Sequence, residues 1–121
     1  MSAFDNMSSL DLQQIWEGVH GRVVHGERLT FSVIELDPNS VVPEHSHDQE
    51  QLGMVLKGSL SFRIADETQD LAPGATWSIP SKMPHEVRAG PEGAVVIDVF
   101  APTRDAWREA PRADERAPRW P

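Results

Sequence analysis

The chain has 121 residues, of which 39% are hydrophobic and 25% charged, as is usual for a single globular domain. It contains no Cys and no Tyr, which excludes disulfides, thiolate chemistry and phenolic acid–base catalysis. Acidic residues outnumber basic ones by 19 to 11, giving a net charge of −8. A field of that sign repels nucleic acid and anionic membranes, so we expect neither as a partner, and an acidic small molecule would need a local positive site.

No feature of the sequence predicts membrane insertion or export. The first nine residues carry neither Lys nor Arg, and no apolar run in the chain exceeds five residues. A signal peptide needs a basic start and an apolar core, and a membrane span needs about 20 apolar residues. A cytoplasmic location is therefore the expectation.

Short β-type runs recur along the chain, separated by Gly- and Pro-containing breaks typical of turns. Segment 9–16 is compatible with a short helix or with a lead-in to the first strand. Breaks with turn chemistry fall at 37–39, 57–58, 72–74, 83–84 and 90–91. Strands are predicted at 19–25, 29–37, 41–45, 51–57, 59–65, 75–79, 85–89 and 94–100. This many short strands predicts an all-β sandwich or closed barrel.

The composition changes after the last predicted strand. The C-terminal residues are rich in charge and Pro and have little to bury. We expect a tail that is poorly ordered, or that docks on a partner subunit through Trp107 or Trp120. The predicted organisation is a lead-in at 1–18, a barrel at 19–102 and a charged, Pro-rich tail at 103–121.

The pair His45 and His47 is the strongest chemical signal. Residues i and i+2 of a strand face the same side, so two imidazoles there can share one metal ion; two exposed histidines in an acidic stretch are the plain alternative. Gln51 lies at an even offset from His47, whereas Glu50, a rival ligand, has the opposite parity. His85 opens a later strand and can supply a third imidazole from an antiparallel neighbour.

Two motifs built on these residues resemble those of the cupin superfamily. The first has His, His, a ligand and Gly, and the second has Gly, Pro and His; here they are His45, His47, Gln51, Gly58, Gly74, Pro80 and His85. The resemblance implies an all-β cupin fold, a double-stranded β-helix or jelly-roll barrel of short antiparallel strands. Gln51 replaces the usual Glu ligand, which would leave a bound dication with four neutral ligands and its full charge. A degraded site that binds no metal is the alternative.

Asp98 interrupts the otherwise apolar run 95–100. A carboxylate there is costly unless it is paired or functional. Phe100 shares its face, and Arg104 follows the end of the strand. One interpretation is a structural Asp98–Arg104 ion pair. The other is that Asp98 donates or accepts a proton beside the metal while Arg104 binds a substrate carboxylate.

With this C-terminal run the chain resembles, more narrowly, the pectin-degradation cupins of the KdgF type. Members of that family are small dimeric cupins that open the ring of 4,5-unsaturated uronate monosaccharides. The resemblance implies one divalent transition metal (Zn, Ni, Mn or Fe), a small anionic substrate and a homodimer. The residues implied are His45, His47, Gln51 and His85 for the metal, and Asp98, Phe100 and Arg104 around the substrate.

Three functions are compatible with these residues. The favoured one is a metal-dependent, non-redox ring opening or isomerisation of an anionic sugar such as a 4,5-unsaturated uronate, which would be an isomerase or lyase-type activity of uronate metabolism. An Fe(II) dioxygenase is the second, because three histidines with open positions also suit Fe(II) and O₂. The third, a non-enzymatic metal-dependent binding protein, is disfavoured by Asp98 in an apolar strand.

Overall fold

The computed structural model describes residues 2–120, and its strands all pair antiparallel. The strands are β1 Gln13–Trp16, β2 Val19–His25, β3 Thr30–Leu36, β4 Val41–His45, β5 Glu50–Ile64, β6 Glu67–Leu71, β7 Thr76–Ile79 and β8 His85–Ala101. Their order in the sheet is β1-β2-β3-β8-β5-β6, with β4 also on β8 and β7 also on β5. Two short 3₁₀ helices lie at Met7–Ser9 and Asp105–Glu109. Within residues 2–120, no helix has the length and apolar content that a membrane span requires.

The strands β5 and β8 are each continuous, where the sequence predicted two strands separated by a turn at 57–58 or at 90–91. Those two turn predictions are wrong because the strands go on pairing beyond them, so that Leu60 lies opposite Ala89. The register shifts near Gly58, which has a φ of 76°. A bulge at this glycine therefore bends β5 without reversing the chain.

The other predicted strands match the structure closely, with two additions. Segment 9–16, for which a short helix and a lead-in are both compatible, contains β1, and the short 3₁₀ helix Met7–Ser9 ends where the segment begins. The strand β6 was not predicted because its residues are polar and mostly exposed, so they show no alternation between apolar and polar positions.

Alternate residues of the central strands divide between the barrel interior and its outer surface. The interior side chains form one apolar core that includes Ile34, Leu36, Val96 and Phe100. Asp98 lies on the same face of β8 as Val96 and Phe100 and is buried with them. A polar group therefore enters the apolar interior at one place on β8.

The C-terminal tail packs on its own chain. Gln14 N donates to Pro111 O and Ala113 N donates to Leu12 O, each at 2.8 Å. Trp107 is buried in the chain's own core. The expectation of a poorly ordered tail is wrong for this segment, because the edge of β1 offers unpaired backbone groups that the tail satisfies. Docking of the tail on a partner subunit stays a prediction.

Candidate metal centre

Three imidazoles meet at one end of the barrel. His45 closes β4 and lies directly opposite His85, the first residue of β8, and their ring centroids are 4.3 Å apart. His47 follows two residues after the end of β4, so it joins the group from a loop and not from a shared strand face. One ring nitrogen from each of the three lies within 4.8 Å of the others.

Backbone carbonyls fix which nitrogen of each imidazole is free. Each Nδ1 lies 2.8 to 3.0 Å from a carbonyl oxygen two residues away along the chain, those of Pro43, Gln49 and Met83. A carbonyl oxygen only accepts, so each Nδ1 must carry the proton. In the neutral imidazole, Nε2 then keeps a lone pair, which is the form that binds a metal.

The free nitrogens and one amide oxygen fit a cation. His85 Nε2 is buried and has no hydrogen-bond partner among the described residues. His47 Nε2 lies 3.2 Å from Gln51 Oε1, and with Nδ1 protonated both of these atoms are acceptors. Facing acceptors repel each other unless a cation lies between them, and imidazole nitrogens with an oxygen suit a divalent transition metal. This donor set therefore can hold one such ion.

Burial keeps the three imidazoles neutral. Desolvation lowers the pKa of His45 and of His47, and it lowers the pKa of His85 to about 4. Protons therefore compete weakly with a metal for these nitrogens at neutral pH.

Gln51 is the fourth member of the group. It lies on β5, buried, with its Nε2 donating to Asp98 Oδ1 at 2.8 Å. Its Oε1 therefore points toward the imidazoles. Glu50, the rival ligand, is exposed on the other side of the strand, as its parity predicts.

Asp98 is buried without a cationic partner. Its Oδ1 accepts from Gln51 Nε2 and, at 2.9 Å, from Trp77 Nε1. Burial raises the pKa of Asp98 to about 7, against the opposing effect of these two hydrogen bonds. No ion pair joins Asp98 to Arg104 among the described residues, so the structural interpretation of this pair is wrong: both of the donors to Asp98 are neutral.

Arg104 presents a cation that no acid of the described chain neutralises. Its guanidinium carbon lies 5.8 Å from the ring centroid of Phe100 and 5.4 Å from that of Trp107, within the range of cation–π attraction. Its Nε is buried and makes no hydrogen bond to the described residues. An anion entering the site would find this charge already desolvated.

One cavity connects these groups, and it is otherwise walled by apolar side chains. The cavity has a volume of about 50 Å³, and one water needs about 10–15 Å³ on the same scale. There is room for an ion with a small ligand. The seven residues singled out in the sequence all line it: His45, His47, Gln51, His85, Asp98, Phe100 and Arg104.

Sequence reasoning missed three tryptophans that also line the cavity. Trp16 packs on the ring of His45, with centroids 4.9 Å apart, Trp77 bonds to Asp98, and Trp107 supports Arg104. The only signal was compositional, because the chain has 4 Trp and no Tyr; no spacing placed them at the site.

Residues 32–100 match the sequence profile of the cupin domain family. The chain belongs to that family. A curated relative is the oxalate decarboxylase OxdC of Bacillus subtilis (strain 168), 30% identical over 79 residues, which make up 61% of this chain and 20% of that protein. The chain thus spans about a fifth of the length of this relative.

Solved cupin structures resemble the whole barrel. KdgF from Halomonas sp. superposes with a TM-score of 0.80 at 26% identity, covering 88% of this chain and 98% of that one. An RmlC-like cupin from Shewanella frigidimarina superposes with a TM-score of 0.81 over 88% and 96% of the two chains. Its identity is 20%, so it supports the fold alone. A variant of Bacillus subtilis oxalate decarboxylase reaches 0.71 at 26% identity, over 84% of this chain and 31% of that one.

Proposed function

We propose that this cupin binds one divalent transition metal and opens the ring of a small anionic sugar without redox change, with 4,5-unsaturated uronates as the substrate class. The metal ligands are His45, His47, His85 and Gln51. The observation that carries the proposal is that three groups line one cavity: a donor set for a cation, a carboxyl with a raised pKa, and a guanidinium with no counter-ion among the described residues.

Arg104 binds the carboxylate of the substrate. The protein carries a net charge of −8, so an anionic sugar is attracted only where positive charge is concentrated. A guanidinium forms two parallel hydrogen bonds with a carboxylate, which sets the orientation of the ring as well as its affinity. The aromatic faces of Phe100 and Trp107 hold the guanidinium on the wall of the cavity.

Asp98 transfers the proton. As a carboxylate it takes the proton from the anomeric hydroxyl; the bond between the anomeric carbon and the ring oxygen breaks, and Asp98 gives the proton to that oxygen, leaving an aldehyde and an enol. Tautomerisation of the enol to a ketone returns a proton to carbon, so no oxidant or reductant is consumed. A pKa of about 7 suits both proton uptake and release at neutral pH. When bound, the divalent ion polarises a substrate oxygen.

Two likenesses support the choice of substrate. The run from Asp98 to Arg104 resembles that of the pectin-degradation cupins, and the structure of KdgF from Halomonas sp. superposes over nearly its full length at 26% identity. The match to oxalate decarboxylase covers only about a fifth of that protein and gives no comparable support for its substrate.

The test is the ultraviolet absorbance of a 4,5-unsaturated galacturonate monomer, which disappears when the ring opens. Protein loaded with Zn²⁺, Ni²⁺, Mn²⁺ or Fe²⁺ in turn is expected to accelerate the loss, and Asp98→Ala to abolish the acceleration. Asp70→Ala, at an exposed position of β6, is the matched control and keeps full activity. No acceleration with any of these metals would contradict the proposed substrate.

The same assay separates the dioxygenase alternative. Activity that persists without oxygen, with Zn²⁺ in place of Fe²⁺, is expected for ring opening. Oxygen uptake that depends on Fe²⁺ would instead support the alternative, because three imidazoles with open positions suit that chemistry.

We also propose that two copies pair through the outer face of the sheet. Val24, Phe31 and Leu52 are exposed there by 41%, 44% and 50%, and together with Val99 they form a row across β2, β3, β8 and β5, an apolar patch that favours burial. Light scattering is expected to give twice the mass of one chain, and Phe31→Asp to give a single chain. A monomeric wild type would contradict this pairing.

A further inference from the structure

Trp77 is linked to the candidate metal centre by hydrogen bonds that run through Asp98 and Gln51. Its indole N–H and the amide N–H of Gln51 both donate to the same oxygen, Asp98 Oδ1, at 2.9 and 2.8 Å. We propose that Trp77 is a positioning residue: it fixes the polarity of the Asp98–Gln51 contact and so keeps the Gln51 amide oxygen turned toward the imidazoles. The inference rests on the proposed metal site and adds a determinant outside its ligands.

The polarity follows from what each group can do. An indole nitrogen is a donor only, so Asp98 Oδ1 accepts from it. An accepting Oδ1 requires the amide nitrogen of Gln51 to face it. The amide oxygen is left facing His47 Nε2, 3.2 Å away.

Once the indole donor is removed, Gln51 alone among the described residues holds the Asp98 side chain, and the carboxyl group can rotate so that Oδ1 no longer faces the amide nitrogen. The two ends of a Gln amide have nearly the same shape, and only hydrogen bonds distinguish them. An amide that Asp98 no longer holds in place can turn its NH₂ toward the imidazoles. An NH₂ group has no lone pair for a metal, so the donor set would fall from four to three.

The backbone is built to permit this contact. Gly53 on β5 lies directly opposite Trp77 on β7 and directly opposite Asp98 on β8. A Cβ at Gly53 would lie 2.3 Å from the indole nitrogen and 2.5 Å from Asp98 Oδ1. The indole therefore crosses β5 through space that only a glycine leaves open, and it is held from the other side by Phe62, with ring centroids 5.0 Å apart.

The test measures Co²⁺ binding by visible absorption, without substrate. Trp77→Phe keeps an aromatic ring beside Phe62 but removes the donor. We expect it to lower Co²⁺ affinity about tenfold, the lower end of what losing a partner of a metal ligand costs, and to change the d–d spectrum because one oxygen donor leaves. Trp120→Phe is the matched control: it replaces an indole outside the cavity, whose Nε1 has no hydrogen-bond partner among the described residues, and it is expected to leave Co²⁺ affinity unchanged.

The decisive comparison repeats Trp77→Phe in a Gln51→Ala background. There is then no amide to orient, so the substitution is expected to cause no further loss of affinity. A merely structural tryptophan would weaken binding equally in both backgrounds, and that result would overturn the inference.

Gly53→Ala provides a second route that leaves the indole intact. Its Cβ displaces Trp77 from Asp98, so it is expected to reproduce the affinity and spectrum of Trp77→Phe, and it serves if Trp77→Phe does not fold. Unchanged Co²⁺ binding in folded Trp77→Phe and Gly53→Ala overturns the inference while the metal site stands. A wild type that binds neither Co²⁺ nor Zn²⁺ overturns the metal site and this inference with it.

Discussion

Two groups of buried charge lie on opposite faces of the same sheet, and they differ in how the charges are matched. On the outer face, Arg22 and Glu35 pair at 2.9 Å with side chains only 2% and 1% exposed, and Arg116 of the tail adds a second guanidinium near Glu35. In the cavity, Asp98 bonds only to neutral donors and Arg104 has no acid partner among the described residues.

The difference distinguishes charges that stabilise the fold from charges that a ligand is expected to match. A buried pair whose charges are matched within the protein holds the tail on the barrel and needs no ligand. A buried charge left unmatched lowers stability, and proteins retain such charges where a ligand completes them. From this mismatch we infer that the cavity is a binding site, whereas the outer group stabilises the fold.

The largest expected effect breaks the outer pair. Glu35→Ala leaves the buried guanidinium of Arg22 with a neutral partner only, the carbonyl oxygen of Arg116, and we expect the free energy of unfolding to fall by about 3–5 kcal/mol. Urea denaturation measures it. Because the outer group plays no part in the site, Co²⁺ affinity of the folded variant should equal that of the wild type; a parallel loss of Co²⁺ affinity would show that the two groups are not separate.

Removing the charge of Asp98 is expected to raise the free energy of unfolding instead of lowering it. In the metal-free protein its pKa is about 7, above the ordinary value of 3.8, so folding favours the protonated form. The cost is absent below about pH 4, grows as pH rises, and is complete above pH 7, reaching at most about 4 kcal/mol at 1.36 kcal/mol per pKa unit.

Asp98→Asn keeps an acceptor for Gln51 and Trp77 but cannot ionise. It is expected to be more stable than the metal-free wild type at pH 8, equally stable at pH 4, and inactive. Thermal unfolding across this pH range, after chelation of metal, measures the difference. A difference that does not change with pH would mean that the Asp98 carboxylate is already accommodated without cost.

The smallest of these effects concerns Arg104. Arg104→Gln removes the charge that the substrate carboxylate is expected to meet, and charge-assisted hydrogen bonds contribute about 1.5–3 kcal/mol. We expect kcat/KM on the unsaturated uronate to fall about 10- to 100-fold, with Co²⁺ affinity unchanged. The control is Arg88→Gln, at an exposed position of β8; an equal loss in that variant would point to general attraction and not to a specific contact.

Local patterns were enough to predict the barrel and the groups that line its cavity. Alternating strands and Gly- or Pro-containing breaks located most elements, and the spacing of His45, His47, Gln51 and His85 predicted their convergence. The even offset of Gln51 from His47 favoured Gln51 over Glu50 as the ligand, and the structure buries Gln51 and exposes Glu50.

What the sequence did not predict depends on contacts between distant segments. The Trp77–Asp98 hydrogen bond joins β7 to β8 across β5. It requires the strand register at Gly53 and the absence of a Cβ there, and no single segment of the sequence shows either requirement. The tail looked solvated because its composition is charged, yet Arg116 finds Glu35 81 positions earlier in the chain. The residues around the bulge at Gly58 have the composition of a turn, and only the continued pairing of β5 with β8 distinguishes the bulge from a turn.

The central claim is that three imidazoles and the Gln51 amide bind one divalent ion. The direct measurement is elemental analysis of the protein after equilibrium dialysis against Zn²⁺, with His85→Ala and the surface variant His25→Ala dialysed beside it. We expect one Zn²⁺ per chain in the wild type and in His25→Ala, and none in folded His85→Ala. No retained Zn²⁺ in the wild type, or equal retention in His85→Ala, would contradict it.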